Sequence, residues 1–292
     1  MSFDLYFYKK KNTSLTEQDI EKYLSENLVP VNESGNQWFF ENEETETYFS
    51  IEKNDEEDDP ETIELFENFK DFDNTHFSLN LNFMRPSFFG LETFNFIEKF
   101  IIDLELYVLN PQEDFEIPYI PKKEDLFSNW NETNLNASAE NFDEQSNFYP
   151  LDLSNEIWNF NFNRQQLQDE IGDEYFVSRI FFAKTFRNNQ IVTLSTWSQH
   201  IPNILPKADY YLLTREYKKL FKTVKDSVLI SWQTLIDNFG DYLENYTTKD
   251  CKIIHPKNAS KVKDIFNGLK SDIKFGEYME RVGMENLYNA KP

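Results

Sequence analysis

Phe3, Leu5 and Phe7 alternate with Asp4, Tyr6 and Tyr8, the two-residue period of a strand that buries one face, and Lys9-Lys10-Lys11 ends it in solvent. Ser14 and Glu17 match a Ser-x-x-Glu capping box. Ile20, Tyr23 and Leu24 then fall on one helical face, which predicts a helix over residues 15–27. Gln37 to Glu41 and Thr47 to Ile51 read as strands joined by the acidic turn Asn42-Glu43-Glu44-Thr45-Glu46. A further strand, His76 to Met84, sends Phe77, Leu79, Leu81 and Phe83 inward. Leu91 to Leu104 carries Phe94, Ile97, Phe100 and Ile101 at helical spacing, and Leu106 to Leu109 resumes as a strand. The resulting βαβββαβ order is solved most simply by two helices over one face of a mostly antiparallel sheet.

Residues 110–160 are rich in Asn, Pro, Asp and Glu, and read as an irregular connector with Trp130 and Trp158 as anchors. Beyond it, Phe176 to Arg187 and Gln190 to Trp197 flank Asn188-Asn189, a pair that tolerates the positive φ of a hairpin turn. Tyr210 to Thr214, Ser227 to Trp232 and Cys251 to Ile254 read as strands, and Thr234 to Tyr246 and Ser260 to Leu269 as helices. The expected fold class is therefore α+β, with two α/β-sandwich subdomains built on mostly antiparallel sheets. The division expected is an acidic subdomain over 1–110, an irregular acidic connector over 111–175, a basic subdomain over 176–275 and a C-terminal tail over 276–292.

Charge sharpens that division. Residues 1–175 hold 40 of the 52 acidic and 11 of the 29 basic side chains, net −29, whereas residues 176–275 hold 9 and 16, net +7. An acidic surface of this size repels nucleic acid and anionic membranes and attracts basic partners over about 8 Å at physiological salt. Asp55-Glu56-Glu57-Asp58-Asp59 is the densest run, in a loop that self-repulsion keeps extended. A disordered acidic tail is excluded by the 29 Phe, 15 Tyr and 5 Trp. The single cysteine, Cys251, excludes an internal disulfide and a cysteine-based zinc site. An amino terminus without a basic start and apolar stretch, and the lack of any run of about 18 apolar residues, predict a soluble cytoplasmic protein.

Catalytic signatures are sparse. His76, His200 and His255 lack the paired spacing of zinc hydrolases and read as structural, and the run from Asp55 lacks the order of a calcium loop. The 7 glycines form no phosphate-cradling loop. One constellation competes: Asp209 followed by Glu216-Tyr217-Lys218 matches the ligand set of PD-(D/E)xK nucleases, in which two carboxylates hold Mg²⁺ and the lysine orients water. Lys219, Lys222 and Lys225 beside it fit a solvated basic face equally well. In Arg85-Pro86-Ser87-Phe88-Phe89-Gly90-Leu91-Glu92, Pro86 fixes a strand exit, Ser87 can cap the coming helix, Gly90 permits a tight turn and Arg85 can pair with Glu92. The functional alternative is a small polar pocket centred on Arg85 and Glu92.

The segments Phe3 to Lys9, Trp38 to Thr45 with Tyr48-Phe49, and Arg85 to Glu92 resemble a largely uncharacterised bacterial family whose members are similar to immunity proteins of polymorphic toxin systems. The resemblance covers mainly the first 110 residues, and where its members have Thr-Gly this chain has Thr45-Glu46-Thr47. It implies a non-catalytic inhibitor that occludes the basic working surface of a cognate toxin, without a cofactor or bound metal. The expected partner-binding residues are Glu43, Glu44, Glu46, Asp55, Glu56, Glu57, Asp58 and Asp59 for steering, with Phe39 and Tyr48 as aromatic anchors. The competing readings are the nuclease, an interaction protein whose acidity serves solubility alone, and self-association between oppositely charged halves.

Overall fold

The computed structural model describes residues 2–31, 35–55, 64, 66, 68–113, 117–143, 146–219, 222–246, 250–270 and 274–290. The chain is α+β with mostly antiparallel sheets. It divides into two compact units, Met1–Asp143 with Tyr288–Pro292, and Glu144–Leu287.

In the first unit the strands β1 (Ser2–Lys10), β2 (Val29–Pro30), β3 (Gln37–Asn42), β4 (Thr47–Lys53), β5 (Phe72–Asn82) and β6 (Tyr107–Leu109) form a six-stranded sheet in the order β2-β3-β4-β5-β1-β6. All of its ladders are antiparallel. Helices α1 (Glu17–Asn27) and α2 (Ser87–Leu104) connect strands whose inward side chains are aromatic. Phe3 meets Phe94 at 5.6 Å, Phe7 meets Phe100 at 5.0 Å and Phe49 meets Phe96 at 5.4 Å, so strand and helix faces interlock through ring edges. The capping box lies two residues later than expected: Thr16 receives the Asp19 amide, and the Asp19 side chain takes the Thr16 amide.

β1 and β5 slip in register between Tyr6 and Tyr8, opposite His76 at φ 61°. Strict alternation breaks there, and Phe7 and Tyr8 are both buried, Phe7 against α2 and Tyr8 with Phe72 and Leu109. His76 is thus a bulge residue.

The stretch read as an irregular connector is largely helical. It contains α3 (Lys123–Asn141), α4 (Leu151–Phe162) and α5 (Arg164–Ile171), with a short strand β7 (Phe148–Pro150) before α4. α3 belongs to the first unit, and α4 and α5 to the second. Trp130 of α3 is fully buried, and its ring lies so close to Gly90 that a Cβ there would sit 2.6 Å from Trp130 Cε3 and 3.1 Å from Phe127 Cδ2. Gly90 therefore serves a helix contact inside α2, not a tight turn. Ser87 is the first residue of α2 and Pro86 its cap, so the expected side-chain cap is absent.

The second unit holds a five-stranded sheet, β13-β12-β10-β9-β16, and a four-stranded one, β14-β15-β11-β8. Their ranges are β8 Phe176–Val177, β9 Ile180–Thr185, β10 Ile191–Ser198, β11 Asn203–Pro206, β12 Tyr210–Lys219, β13 Lys222–Ser231, β14 Glu244–Tyr246, β15 Cys251–Ile254 and β16 Met279–Val282. β9 and β10 form the expected hairpin with Asn189 at φ 53°, although the loop runs from Phe186 to Gln190. The segment expected as a C-terminal tail carries the strand β16 and the 3-residue strand Tyr288–Ala290. Trp197, Tyr211, Phe239 and Phe266 centre one core, closed by α6 (Trp232–Phe239) and the short helices α7 (Pro256–Ala259) and α8 (Lys263–Gly268), while α9 (Phe275–Tyr278) packs on a second cluster of Ala183, Val192 and Met279. Buried Arg215 binds Asp226 in a bidentate pair at 2.7 and 2.8 Å, and Nη1 donates to the Asn267 and Leu269 carbonyls at 3.0 and 2.7 Å, where α8 ends.

Drawn along the observed boundary, the first unit carries 33 acidic and 11 basic residues, net −22, and the second 19 and 18, net −1. The second unit is close to neutral, not basic, because the acidic segment of α4 and α5 folds with it. Among the described residues no helix is long and apolar enough to cross a membrane.

Gly90→Ala tests the α2–α3 contact. Helix propensity alone favours alanine by about 1 kcal/mol, whereas overpacking against Trp130 costs about 1–3 kcal/mol. A net loss in denaturant unfolding is expected, and a gain would mean that α3 does not press on α2.

Candidate functional site

The acidic turn joins β3 to β4, whose register pairs Asn42 with Thr47 and Glu41 with Tyr48. The Glu46 amide donates to the Asn42 carbonyl at 2.7 Å, and the Glu44 amide to Asn42 Oδ1 at 3.0 Å, so Asn42 organises the loop from both its main chain and its side chain. Glu46 closes the loop at φ 56°, a conformation that glycine adopts without strain and glutamate does not. Glu43 is exposed, and Glu44 and Glu46 are partly exposed.

Beneath the loop lies a carboxylate that anchors it. Glu92, on α2, is 4% exposed and accepts from Asn42 Nδ2 at 2.5 Å through Oε1 and from Thr45 Oγ1 at 2.9 Å through Oε2. Both of its oxygens are engaged by the turn. Arg85 lies over the Tyr48 ring at 5.2 Å, and its backbone carbonyl accepts from Asn134 of α3. Asn134 also donates to the Phe83 carbonyl at 2.5 Å and accepts from Asn289 at 2.7 Å, and Asn289 takes the Ser87 amide at 3.3 Å. The residues read as a pocket therefore act as a frame. Glu92 fixes the acidic loop, while Arg85 packs on one of the expected anchors.

Register places Phe39, Ser50, Asn80 and Asp4 side by side across β3, β4, β5 and β1, on the face opposite the helices. Phe39 stacks on Tyr48 at 5.8 Å and 29°, and both are half-buried beside exposed Glu41. Tyr48 is further held edge-on by Phe89 at 5.3 Å. Glu41, Glu52 and Asp4 lie on this face, which also carries Lys10 over the Phe72 ring at 4.5 Å. Asp4 receives Asn80 Nδ2 at 2.7 Å, and Glu52 receives Gln37 Nε2 at 2.6 Å. Asp55 is exposed past the end of β4, and Glu56, Glu57, Asp58 and Asp59 lie outside the described residues.

The nuclease constellation does not assemble. Asp209 precedes β12 and Glu216 lies on it seven residues later, roughly 23 Å along an extended strand, too far for one metal ion. Asp209 Oδ2 accepts from the Thr193 amide at 2.8 Å and its hydroxyl at 2.9 Å, and Glu216 pairs with Lys225 at 3.1 Å. The side chain of Lys218 is outside the described set. No group of three metal-ligating side chains occurs among the described residues. His200 packs edge-on against Phe266 at 6.0 Å, and His255 Nδ1 bonds the Tyr175 hydroxyl at 2.8 Å with Glu244 3.6 Å from its Nε2.

Sequence reasoning missed Asn42, Thr45, Asn134 and Asn289, which position the acidic loop and the segment after β5. Only Asn42 carried a local signal, as a turn residue beside a hydrophobic strand. Comparison with family models, curated proteins and solved structures returns no match to this chain.

Two substitutions separate the loop's strain from its anchor. Glu46→Gly relieves the left-handed backbone and should stabilise the unit by about 1 kcal/mol in chemical denaturation. Glu92→Ala leaves Asn42 and Thr45 without their acceptor and should cost about 3 kcal/mol, with faster hydrogen exchange at the Glu46 amide. Equal exchange in Glu92→Ala and parent would show that the carboxylate does not hold the loop.

Proposed function

We propose that the first unit binds a basic protein through its acidic hairpin and the adjoining open sheet face, acting as a non-catalytic inhibitor of the immunity-protein kind. The observation that carries this reading is the pairing of a rigid, Glu92-anchored acidic loop with a stacked aromatic pair next to it, in a unit of net −22. Many toxins that act on nucleic acid have cationic clefts built for phosphate. Carboxylates on a fixed loop can occupy such clefts, with association accelerated by the field and affinity drawn from buried aromatic area. Tyr48 is already held by Arg85 and Phe89, so docking on it costs little further side-chain entropy. The resemblance of the first 110 residues to immunity proteins supports the same direction. The nuclease reading loses its geometric basis with the separation of Asp209 from Glu216.

The test begins with the reading frames on either side of the gene, expressing any secreted toxin domain found there and measuring association with this chain at about 50 and 200 mM salt. The parent is expected to bind it and block its activity, with an on-rate that falls steeply with salt. Replacing Glu43, Glu44 and Glu46 by Gln should slow association about tenfold and flatten the salt dependence, leaving the unfolding midpoint within about 0.5 kcal/mol of the parent. An unchanged on-rate would remove the hairpin from the interface, and the lack of any neighbouring toxin that binds would overturn the inhibitor reading.

A further inference from the structure

The second unit contains a cleft of about 820 Å³, within the range that binds small molecules. Its wall is mainly apolar, with Leu153, Ile157 and Ile180 on one side and the Trp232 ring at the start of α6. Leu153 is 45% exposed, an open apolar side chain beside the cleft floor. Among the charged groups around this wall the acidic ones prevail. Glu156, Asp209 and Asp250 line the cleft against a single cation, Lys207, which lies 3.6 Å from Asp250, so the lining is net −2.

Asp209 is the fixed member. Its Oδ2 is clamped by the Thr193 amide and hydroxyl at 2.8 and 2.9 Å, and the Trp232 amide donates to its carbonyl at 2.9 Å. Oδ1 makes no hydrogen bond among the described residues, and Asp209 lines the cleft at an exposed position. Tyr149 reports the field inside: burial first, then the carboxylates of Asp209 and Glu156, push its hydroxyl up to about 12.

We propose that this cleft binds a small organic cation with an apolar body, its ammonium or guanidinium placed between Asp209 and Glu156 and its body against Leu153 and Trp232. Charge sign selects the ligand class, because an anion meets three carboxylates and a neutral molecule gains only the apolar wall. The indole of Trp232 adds an aromatic face on which a cation is favoured. The site stands on the second unit alone, and its failure would leave the proposed inhibitor face untouched.

Three probes of one shape decide it on the full chain: phenethylammonium, neutral 2-phenylethanol and anionic phenylacetate, each followed by calorimetry and by the rate at which iodoacetamide alkylates Cys251, the chain's single thiol. Cys251 is buried at the cleft and reacts through local opening that a bound ligand suppresses. The cation is expected to bind at least tenfold more tightly than the alcohol and to slow alkylation, with phenylacetate showing neither effect. Glu156→Gln and Asp250→Asn, both at exposed positions, should each weaken the cation at least fivefold without moving the unfolding midpoint. Equal binding of cation and alcohol, an alkylation rate unmoved by the cation, or parent-like affinity in both variants would overturn the proposal. The probe series on the parent protein needs no variant to fold.

Discussion

The first unit has to fold against its own charge. A net −22 over about half the chain stores self-repulsion in the compact state, and few lysines or arginines are present to relieve it. Cohesion therefore falls to the aromatic layer between sheet and helices. Phe3, Phe7, Phe49, Phe77, Phe94 and Phe100 lie within that layer, where edge-on ring contacts add to the burial of large apolar surfaces. Among the described residues of this unit the salt bridges lie at the surface: Lys53 of β4 ties down Glu17 and Glu21 of α1, Lys99 meets Asp103 one turn away, and Lys123 of α3 meets Glu98 of α2. Such exposed pairs contribute about 0–1 kcal/mol each, too little to set the fold.

This constraint explains where the acid is allowed. Among the described residues of this unit, carboxylates sit in loops, at strand ends and on outward positions, where water screens them, except Glu92, whose burial its two hydrogen bonds offset. A buried carboxylate with two donors is also a rigid one, and it acts on the hairpin that carries Glu43, Glu44 and Glu46. The left-handed backbone of Glu46 has the same reading. A strained residue kept in a turn where glycine would be easier trades stability for a charge at a fixed place. Solubility alone requires neither the anchor nor the strain.

Four strands of the first unit and β6 were legible from alternation, although β2 was not read and β5 begins at Phe72, four residues before the expected His76. α2 was legible because its phenylalanines recur at helical spacing. α3 was not, and the reason is chemical: its buried positions are Leu126, Trp130, Asn134, Ala137 and Ser138, a helical period written with small and polar residues that hydrophobicity does not register. Asn134 is inward because three hydrogen-bond partners wait for it, two carbonyls and Asn289, 155 residues away. Gly90 misled for a related reason, since a glycine that makes room for a distant tryptophan looks in sequence like one that permits a turn. The capping box shifted because Thr16 and Asp19 satisfy the same pattern as Ser14 and Glu17. The bulge at His76 left no local trace at all.

The boundary between the units bears on where the field goes. Cut by composition, the chain offers a basic half that can neutralise the acidic one. Cut by its contacts, it offers a unit of net −1, since α4 and α5 bring their acids with them. Three of its cations are also paired close at hand: Arg215 with Asp226 and the carbonyls that end α8, Lys225 with Glu216, and Lys207 beside Asp250. A net charge of −1 supplies far less opposite charge than the +7 that composition assigned to residues 176–275. The negative potential of the first unit is screened by counter-ions and decays over about 8 Å at physiological salt.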